Sequence, residues 1–311
     1  MMKNQQVAVI GSLNYDLLLK QERLPKKGET FTAHDLIQGP GGKGANQAAQ
    51  CAKLGLSTSM IGKVGEDRFG DALIGSLQAF GVNVDHVGKK GTTGMGIVNV
   101  LPDGDYHSTL LRGANYLVTK EDIDRSLEVI TGCQYILLQQ EIPQSIVDYI
   151  IEKTRDSECK IVLNNAPARD ISETSLAAVD ILVVNETEAE FMSGCKVNSV
   201  ESAHEVAQNL VQKVKNTVIL TLGALGVVVA TREESIYTPA NKVEAVDATG
   251  AGDSFIGAFV FGLIEGYTLQ KATELATLAS SITVSITGGS ESFPTLSELK
   301  KLASIHQPLE T

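Results

Sequence analysis

The chain has no run of basic residues. Its 311 residues carry 26 Lys and Arg against 37 Asp and Glu, a net charge of −11, with the acidic side chains spread along its length. Binding to a nucleic-acid backbone or an anionic membrane surface needs clustered Lys or Arg, so neither is expected as a general role. Cys-x-x-Cys pairs are also missing. Cys51, Cys133, Cys159 and Cys195 lie far apart, each in or beside an apolar segment, and are expected to be small core residues rather than zinc ligands or disulfide partners. The longest apolar stretch, 218–230, is broken by Thr221, Gly223 and Gly226 and is too short to span a bilayer. Met1 to Gln6 run straight into an apolar strand without a signal-like region, from which a reducing, cytoplasmic location is expected. No internal repeat, low-complexity segment or linker appears, and 43% of residues are hydrophobic, enough for a large core. One domain over residues 1–311 is the simplest expectation.

Two nucleotide motifs are absent as well. No Gly-x-Gly-x-x-Gly follows the first strand, Val7 to Gly11, which counts against a dinucleotide fold. The run Gly39 to Asn46 looks superficially like a P-loop, but Lys43 precedes Gly44 where the P-loop needs Lys followed by Ser or Thr. What the chain does have is Gly250-Ala251-Gly252-Asp253, placed between a strand-like alternation, Val243 to Val246, and an apolar helix from Ser254. Small side chains let backbone amides approach an anion, and the helix N-terminus adds partial positive charge. Donors for a phosphoryl oxygen beside a fixed carboxylate are the minimal parts of a small-molecule kinase. The plainer reading, a first-turn carboxylate after a tight turn, carries comparable weight for these four residues alone.

Along the chain, Asn14-Tyr15-Asp16 is expected in a loop just past the first strand, where open α/β sheets place ligand contacts. Residues 17–38 alternate around a turn at Pro25–Gly28, and residues 93–111 give two short strands around a turn at Pro102–Asp105. Together these segments, about 13–38 and 93–112, should form a small sheet separate from the main one. From residue 116 helical and strand patterns alternate: a helix over 121–130, a strand over 135–139, a helix over 144–154, then strands at 160–163, 180–184 and 216–222. This predicts an α/β fold with a central, mostly parallel sheet flanked by helices. A long helix over 269–286 and a closing helix over 296–304 complete the reading.

Asp247-Ala248-Thr249-Gly250-Ala251-Gly252-Asp253-Ser254-Phe255 closely resembles the C-terminal signature of the ribokinase-like (PfkB) sugar kinases, and Gly-Gly-Lys-Gly-Ala-Asn-Gln at 41–47 their N-terminal one. Between them, Asn185 and Glu188 match the family's Asn-x-x-Glu, and 221–226 its Thr-Leu-Gly-x-x-Gly loop, so the resemblance spans essentially the whole chain. It implies that Gly250, Ala251 and Gly252 form an anion hole and that Asp253 is the catalytic base. It implies sugar contacts from Asn14, Tyr15, Asp16, Gly42, Lys43, Gly44, Ala45, Asn46, Glu141 and Asp253. Nucleotide contacts are implied for Asn185, Thr221, Leu222, Gly223, Ala224, Leu225, Gly226, Gly252, Asp253 and Thr277, with Glu188 near magnesium (Mg2+). An activating monovalent cation (K+) is implied at Asp247, Thr249, Thr283, Ile286, Gly288 and Ser292. The small sheet becomes a lid over the sugar that pairs with a second copy, giving a homodimer. Gly-Ser-x-Asn-x-Asp at 11–16 and Asn-Glu-Thr-Glu-Ala-Glu at 185–190 point within the family to ATP-dependent phosphorylation of D-ribose at O5. The alternatives are a sister activity on deoxyribose, fructose, a keto-deoxy sugar acid or a nucleoside, and a non-catalytic sugar sensor. The chain departs from the pattern at Asn165, where the family usually has proline, and at Gly289-Ser290-Glu291, which lacks the usual Gly-Ala.

Overall fold

Strand β1 (Val7–Ile10) is apolar and fully buried at every position, as a strand covered on both faces must be. The computed structural model describes residues 6–102 and 106–306, and the chain order follows from β1. The first part contains β2 (Asn14–Lys20), β3 (Asp35–Gly41), α1 (Lys43–Lys53), β4 (Thr58–Val64), α2 (Arg68–Ala79), β5 (Asn83–Lys89), β6 (Gly94–Val100) and β7 (Tyr106–Leu111). The middle contains α3 (Lys120–Arg125), α4 (Leu127–Thr131), β8 (Tyr135–Gln139), α5 (Gln144–Thr154), β9 (Lys160–Asn164), α6 (Glu173–Leu176), β10 (Ile181–Asn185) and α7 (Glu186–Ser193). Then come α8 (Val200–Val211), β11 (Thr217–Thr221), β12 (Gly226–Ala230), β13 (Ser235–Pro239), α9 (Ala251–Ile264), α10 (Leu269–Val284) and α11 (Leu296–His306).

Nine strands form the main sheet in the order β13-β12-β11-β10-β9-β8-β1-β4-β5. It is parallel from β11 to β5, and β12 and β13 close one edge as antiparallel strands. Alternate residues divide between two helical layers. Ile10, Leu138, Leu163 and Leu182 pack with Ile150 of α5 and Val206 of α8, whereas Val9, Leu137, Val162 and Ile219 pack with Ala48 of α1, Phe259 of α9 and Ala276 of α10. The first strand lies inside the sheet: the chain proceeds outward through β4 and β5, then returns to β8 on the other flank of β1. Strand order therefore reverses between β1 and β8, and the crevice beyond their C-terminal ends is where such sheets take ligands.

A four-stranded sheet, in the order β3-β2-β6-β7, stands at that end. β2 is antiparallel to β3 and parallel to β6, so both predicted segments contribute to it. The predicted turn at Pro102–Asp105 falls, from Asp103 onward, outside the described residues.

Several local expectations are corrected. Asn14, Tyr15 and Asp16 are not in a loop but open β2. Val243 to Val246 form no strand; the amides of Val246 and Asp247 donate instead to the Val284 carbonyl at the end of α10, at 2.7 and 3.1 Å. The helix expected over 121–130 is divided between α3 and α4 at Ser126, and α8, β5 and β13 are additional elements. Cys51, Cys133 and Cys159 are buried, but Cys195 is exposed. No helix among the described residues is long and apolar enough to cross a membrane.

The central strands carry the core, so Leu137→Ala is expected to lower unfolding free energy by about 2–5 kcal/mol, read from urea unfolding. A loss under about 1 kcal/mol would mean that the sheet centre repacks freely.

Candidate active site

Glu141, two residues beyond β8, gathers the ends of three elements. Its Oε2 accepts hydrogen bonds from Ser12 Oγ at 2.5 Å, Asn14 Nδ2 at 3.3 Å and the Lys43 amide at 3.3 Å. The end of β1, the start of β2 and the first turn of α1 thus converge on one carboxylate. Asn14 is fixed from its other side, its Oδ1 accepting from Asn115 Nδ2 at 2.7 Å, while Asn115 Oδ1 accepts from the Leu13 amide at 2.9 Å.

Asp16 shares the Asn14 face of β2. Its carboxylate sits in a slot that only glycines leave open: a Cβ at Gly41 of β3 would lie 2.0 Å from Asp16 Oδ2, and one at Gly96 of β6 would lie 2.4 Å from Oδ1. Burial pushes the Asp16 carboxyl up to about 7, with Glu141 and Asp253 adding repulsion and the Gly96 amide and Lys43 opposing. Tyr15, expected beside these residues, faces the other way; its ring packs on Phe69 of α2 with centroids 4.7 Å apart. Strand alternation makes that outcome necessary.

Asp253 lies in the first turn of α9 and is 6% exposed. Its Oδ2 accepts from Asn46 Nδ2 at 2.9 Å and its Oδ1 from Gln47 Nε2 at 3.0 Å. Burial raises its pKa, while Lys43 and the two amides pull the other way. Lys43 stands between Asp253, Glu141, Glu188 and Asp16; burial works against its ammonium, but these carboxylates outweigh burial and hold its pKa above the ordinary lysine value. Asn46 Oδ1 is buried without a partner among the described residues, an acceptor available to a ligand hydroxyl.

The turn before Asp253 is set by Gly250, at φ 77°, in the left-handed region that suits glycine. A Cβ there would also lie 2.7 Å from the Phe293 ring. Ala251 and Gly252, at the amide end of α9, line a cavity of about 520 Å³. Thr221, Gly223, Ala224 and Gly226 form part of its wall and Thr277 of α10 another. Leu222 is not in that wall, its side chain being buried in the core, and neither is exposed Leu225.

Asn185 and Glu188 form a capping box on α7: Asn185 Oδ1 accepts from the Glu188 amide and Glu188 Oε2 from the Asn185 amide, both at 2.9 Å. Burial raises the Glu188 pKa, against the Asn185 amide and Lys43. Asp247 holds the turn below Gly250, with Oδ1 accepting from the Thr249 amide at 2.9 Å and Oδ2 from the Gly288 amide at 3.0 Å. Nearby, Thr283 Oγ1 lies 2.8 Å from Ser254 Oγ, Ser292 Oγ donates to the Gly289 carbonyl at 2.8 Å, and Ile286 is exposed. Lys53 Nζ, at the end of α1, donates to the carbonyls of Ser290, Glu291 and Phe293 at 2.8, 3.0 and 2.8 Å. Among the described residues no three His, Cys, Asp or Glu cluster as metal ligands. The Asp247 region offers one carboxylate with hydroxyl and carbonyl oxygens, a donor set that fits a hard cation.

The chain matches the model of the pfkB family carbohydrate kinases over residues 4–296. The deoxyribokinase of Salmonella typhi is 35% identical over 304 residues, covering 97% of this chain and 99% of that one. The ribokinase of Bacillus subtilis is 34% identical over 299 residues, covering 96% and 99%. The structure of Arabidopsis thaliana ribokinase complexed with ribose and ATP matches with a TM-score of 0.89 at 30% identity, covering 96% and 99%. The chain belongs to the pfkB family of carbohydrate kinases.

In this pfkB kinase, the residues of both signatures meet at the switch between β1 and β8: Lys43 and Asn46 from the N-terminal one, Asp253 from the C-terminal one. Sequence reasoning passed over Ser12, Gln47, Asn115, Gln139 and Gly96. Ser12 and Gln47 lie within quoted motifs, but Asn115, Gln139 and Gly96 carry no local signal.

Because the folded Asp16 keeps a proton that the unfolded chain loses near the ordinary aspartate pKa, stability should fall as pH rises from about 4 to about 7 and stay lower above that. Asp16→Asn is therefore expected to melt about 2–4 °C higher than the parent at pH 8, the gap narrowing toward pH 5. A difference independent of pH would show that Asp16 ionises normally.

Proposed function

We propose that this kinase transfers the γ-phosphoryl group of ATP to O5 of D-ribose, giving ribose 5-phosphate and ADP. The observation that carries the reading is the placement of Asp253, with Asn14, Asp16, Lys43 and Glu141 on one side and the amide end of α9, opening on the cavity, on the other. Polar groups in that number suit a polyhydroxylated acceptor, and the cavity suits a nucleotide. Asn14, Asp16, Lys43 and Glu141 hold the sugar hydroxyls. Asp253 accepts the proton of the primary hydroxyl as it attacks phosphorus, and the Gly250–Gly252 amides stabilise charge on the transferring group. A loose transition state lets that proton leave late, so a carboxylate is basic enough.

Magnesium and a monovalent cation fit the oxygen-rich surroundings: Glu188 and Asn185 would face the former, while Asp247, Ser292 and the carbonyls of Thr249, Thr283, Ile286 and Gly288 would hold the latter. When bound, such cations neutralise phosphate charge and brace the turn before Gly250. The four-stranded sheet, built from segments about 13–38 and 93–112 of a single domain, serves as a lid. Its outer strands expose Leu36, Leu110 and Leu111, where a second copy would pair.

Deoxyribose is the second reading, favoured by the deoxyribokinase relative at 35% identity. ADP release with ATP, magnesium and potassium across ribose, deoxyribose, fructose and adenosine separates them: the highest kcat/KM is expected for ribose. A higher value for deoxyribose would replace the acceptor and keep the chemistry, and silence on every sugar would favour a sensor. Asp253→Asn is expected to lower kcat by about 10²–10⁴ with the fold intact, and unchanged turnover would remove Asp253 as the base. Rates should also be higher in potassium than in a bulky organic cation; equal rates would leave the Asp247 region without a cation role.

A further inference from the structure

Asn14 turns its Nδ2 toward Glu141, yet a primary amide can present either its N–H or its oxygen with little change of shape. A neighbour of fixed polarity has to decide between the two. Main-chain groups have that property, since an N–H only donates and a carbonyl only accepts. Asn115, buried in the turn at 113–117 that follows β7, meets both groups of one residue. Its Oδ1 accepts from the Leu13 amide at 2.9 Å and its Nδ2 donates to the Leu13 carbonyl at 3.3 Å. Turned over, it would set N–H against N–H and oxygen against oxygen. The end that reaches Asn14 is therefore Nδ2, which donates to Asn14 Oδ1 at 2.7 Å. Asn14, also buried, has its one side-chain oxygen committed there and must aim Nδ2 the other way. Glu141 asks for the same orientation more loosely, at 3.3 Å, through an oxygen that Ser12 and the Lys43 amide share.

The surroundings are shaped to the pair. A Cβ at Gly94, where β6 begins, would lie 2.3 Å from Asn115 Nδ2 and 2.5 Å from Asn14 Oδ1. Arg169 ties the Asn115 turn to the segment beyond Glu141, donating from Nη1 to the Ile142 carbonyl at 3.0 Å and from Nη2 to the Tyr116 hydroxyl.

We propose that Asn115 is a positioning residue that fixes the Asn14 amide with its N–H toward the acceptor sugar, taking its own orientation from the Leu13 main chain. The proposal rests on the reading that Asn14 holds a sugar hydroxyl. A hydroxyl oxygen needs a donor as well as an acceptor, and ionised carboxylates such as Glu141 and Asp253 only accept. Asn14 Nδ2 supplies a donor beside Lys43. An Asn14 turned over would set its oxygen against both the sugar oxygen and Glu141, in a crevice already rich in negative charge.

The test is the pair of KM values, for the best acceptor sugar and for ATP, measured at pH 9. Asn115→Asp keeps the shape of the side chain and the acceptor for the Leu13 amide. Its ionised carboxylate offers Asn14 only oxygens, so Asn14 must turn Nδ2 away from the site. The sugar KM is expected to rise about tenfold over the parent while the ATP KM stays within about twofold. In an Asn14→Ala background the same substitution should raise the sugar KM no further, because Asn115 acts only through Asn14. A sugar KM within twofold of the parent, or a further rise in the Asn14→Ala background, would overturn the proposal and reduce Asn115 to a brace for the Leu13 turn. Should Asn115→Asp not fold, Gly94→Ala decides by the same two KM values and the same background, since its methyl group wedges the two amides apart. Asn14→Ala alone separates the layers of the argument. If it leaves the sugar KM unchanged, the reading of Asn14 as a sugar contact fails. If it raises the sugar KM while Asn115→Asp does not, the contact stands and the positioning role is lost.

Discussion

One ammonium organises the centre of this molecule. Lys43 stands among Asp16, Glu141, Glu188 and Asp253, which arrive from four different parts of the chain. Without it their mutual repulsion in a half-buried crevice would drive protons onto them or push the elements apart. With it the excess of negative charge is reduced but not cancelled, so Glu141 and Asp253 add to the burial that keeps Asp16 from ionising up to about 7. The sheet topology makes such a gathering possible: the reversal between β1 and β8 leaves a crevice in which loop ends of distant origin face one another.

Helix α1 extends that organisation along its length. Its first turn carries Lys43 and the amide that meets Glu141, its next residues hold Asp253, and its last turn holds the loop at 290–293 through Lys53. Gln50 adds two further ties, donating to the Pro294 carbonyl at 3.0 Å and accepting from Ser254 Oγ at 2.8 Å. A helix with this many polar obligations on one side is amphipathic in an unusual sense: Ala45, Ala48, Ala49 and Cys51 are small enough to bring it against the sheet, and the longer amides reach outward to the site.

The parts of the fold and site that could be read from sequence are those whose chemistry is local. Gly41 to Gln47 and Asp247 to Phe255 announce themselves because backbone approach to an anion demands small residues in a fixed order. Strand β8 has the ends expected of it, because Tyr135 to Leu138 form a continuous apolar run. Helix α8 was passed over although Ala203, Val206, Ala207 and Leu210 repeat with helical spacing and are buried. The alternation of Val243 to Val246 misled for the opposite reason: Val243 and Val246 are 46% and 59% exposed, and no strand among the described residues pairs with them. Asn115 and Gln139 act only through partners 101 and 92 residues away, so no window of sequence contains both halves of either interaction. The glycine slot around Asp16 is of the same kind, since Gly41 and Gly96 acquire meaning only when β3 and β6 flank β2.

The grip of Lys53 on three carbonyls has a mechanical side. The loop it holds ends at Phe293, whose ring closes the space above Gly250 and so backs the turn that presents the α9 amides. Detaching this late segment from α1 would break all three Lys53 bonds and unseat that ring in the same motion. The α1 end and the α9 turn therefore share one tether, and backbone amides on both should exchange with solvent together rather than separately.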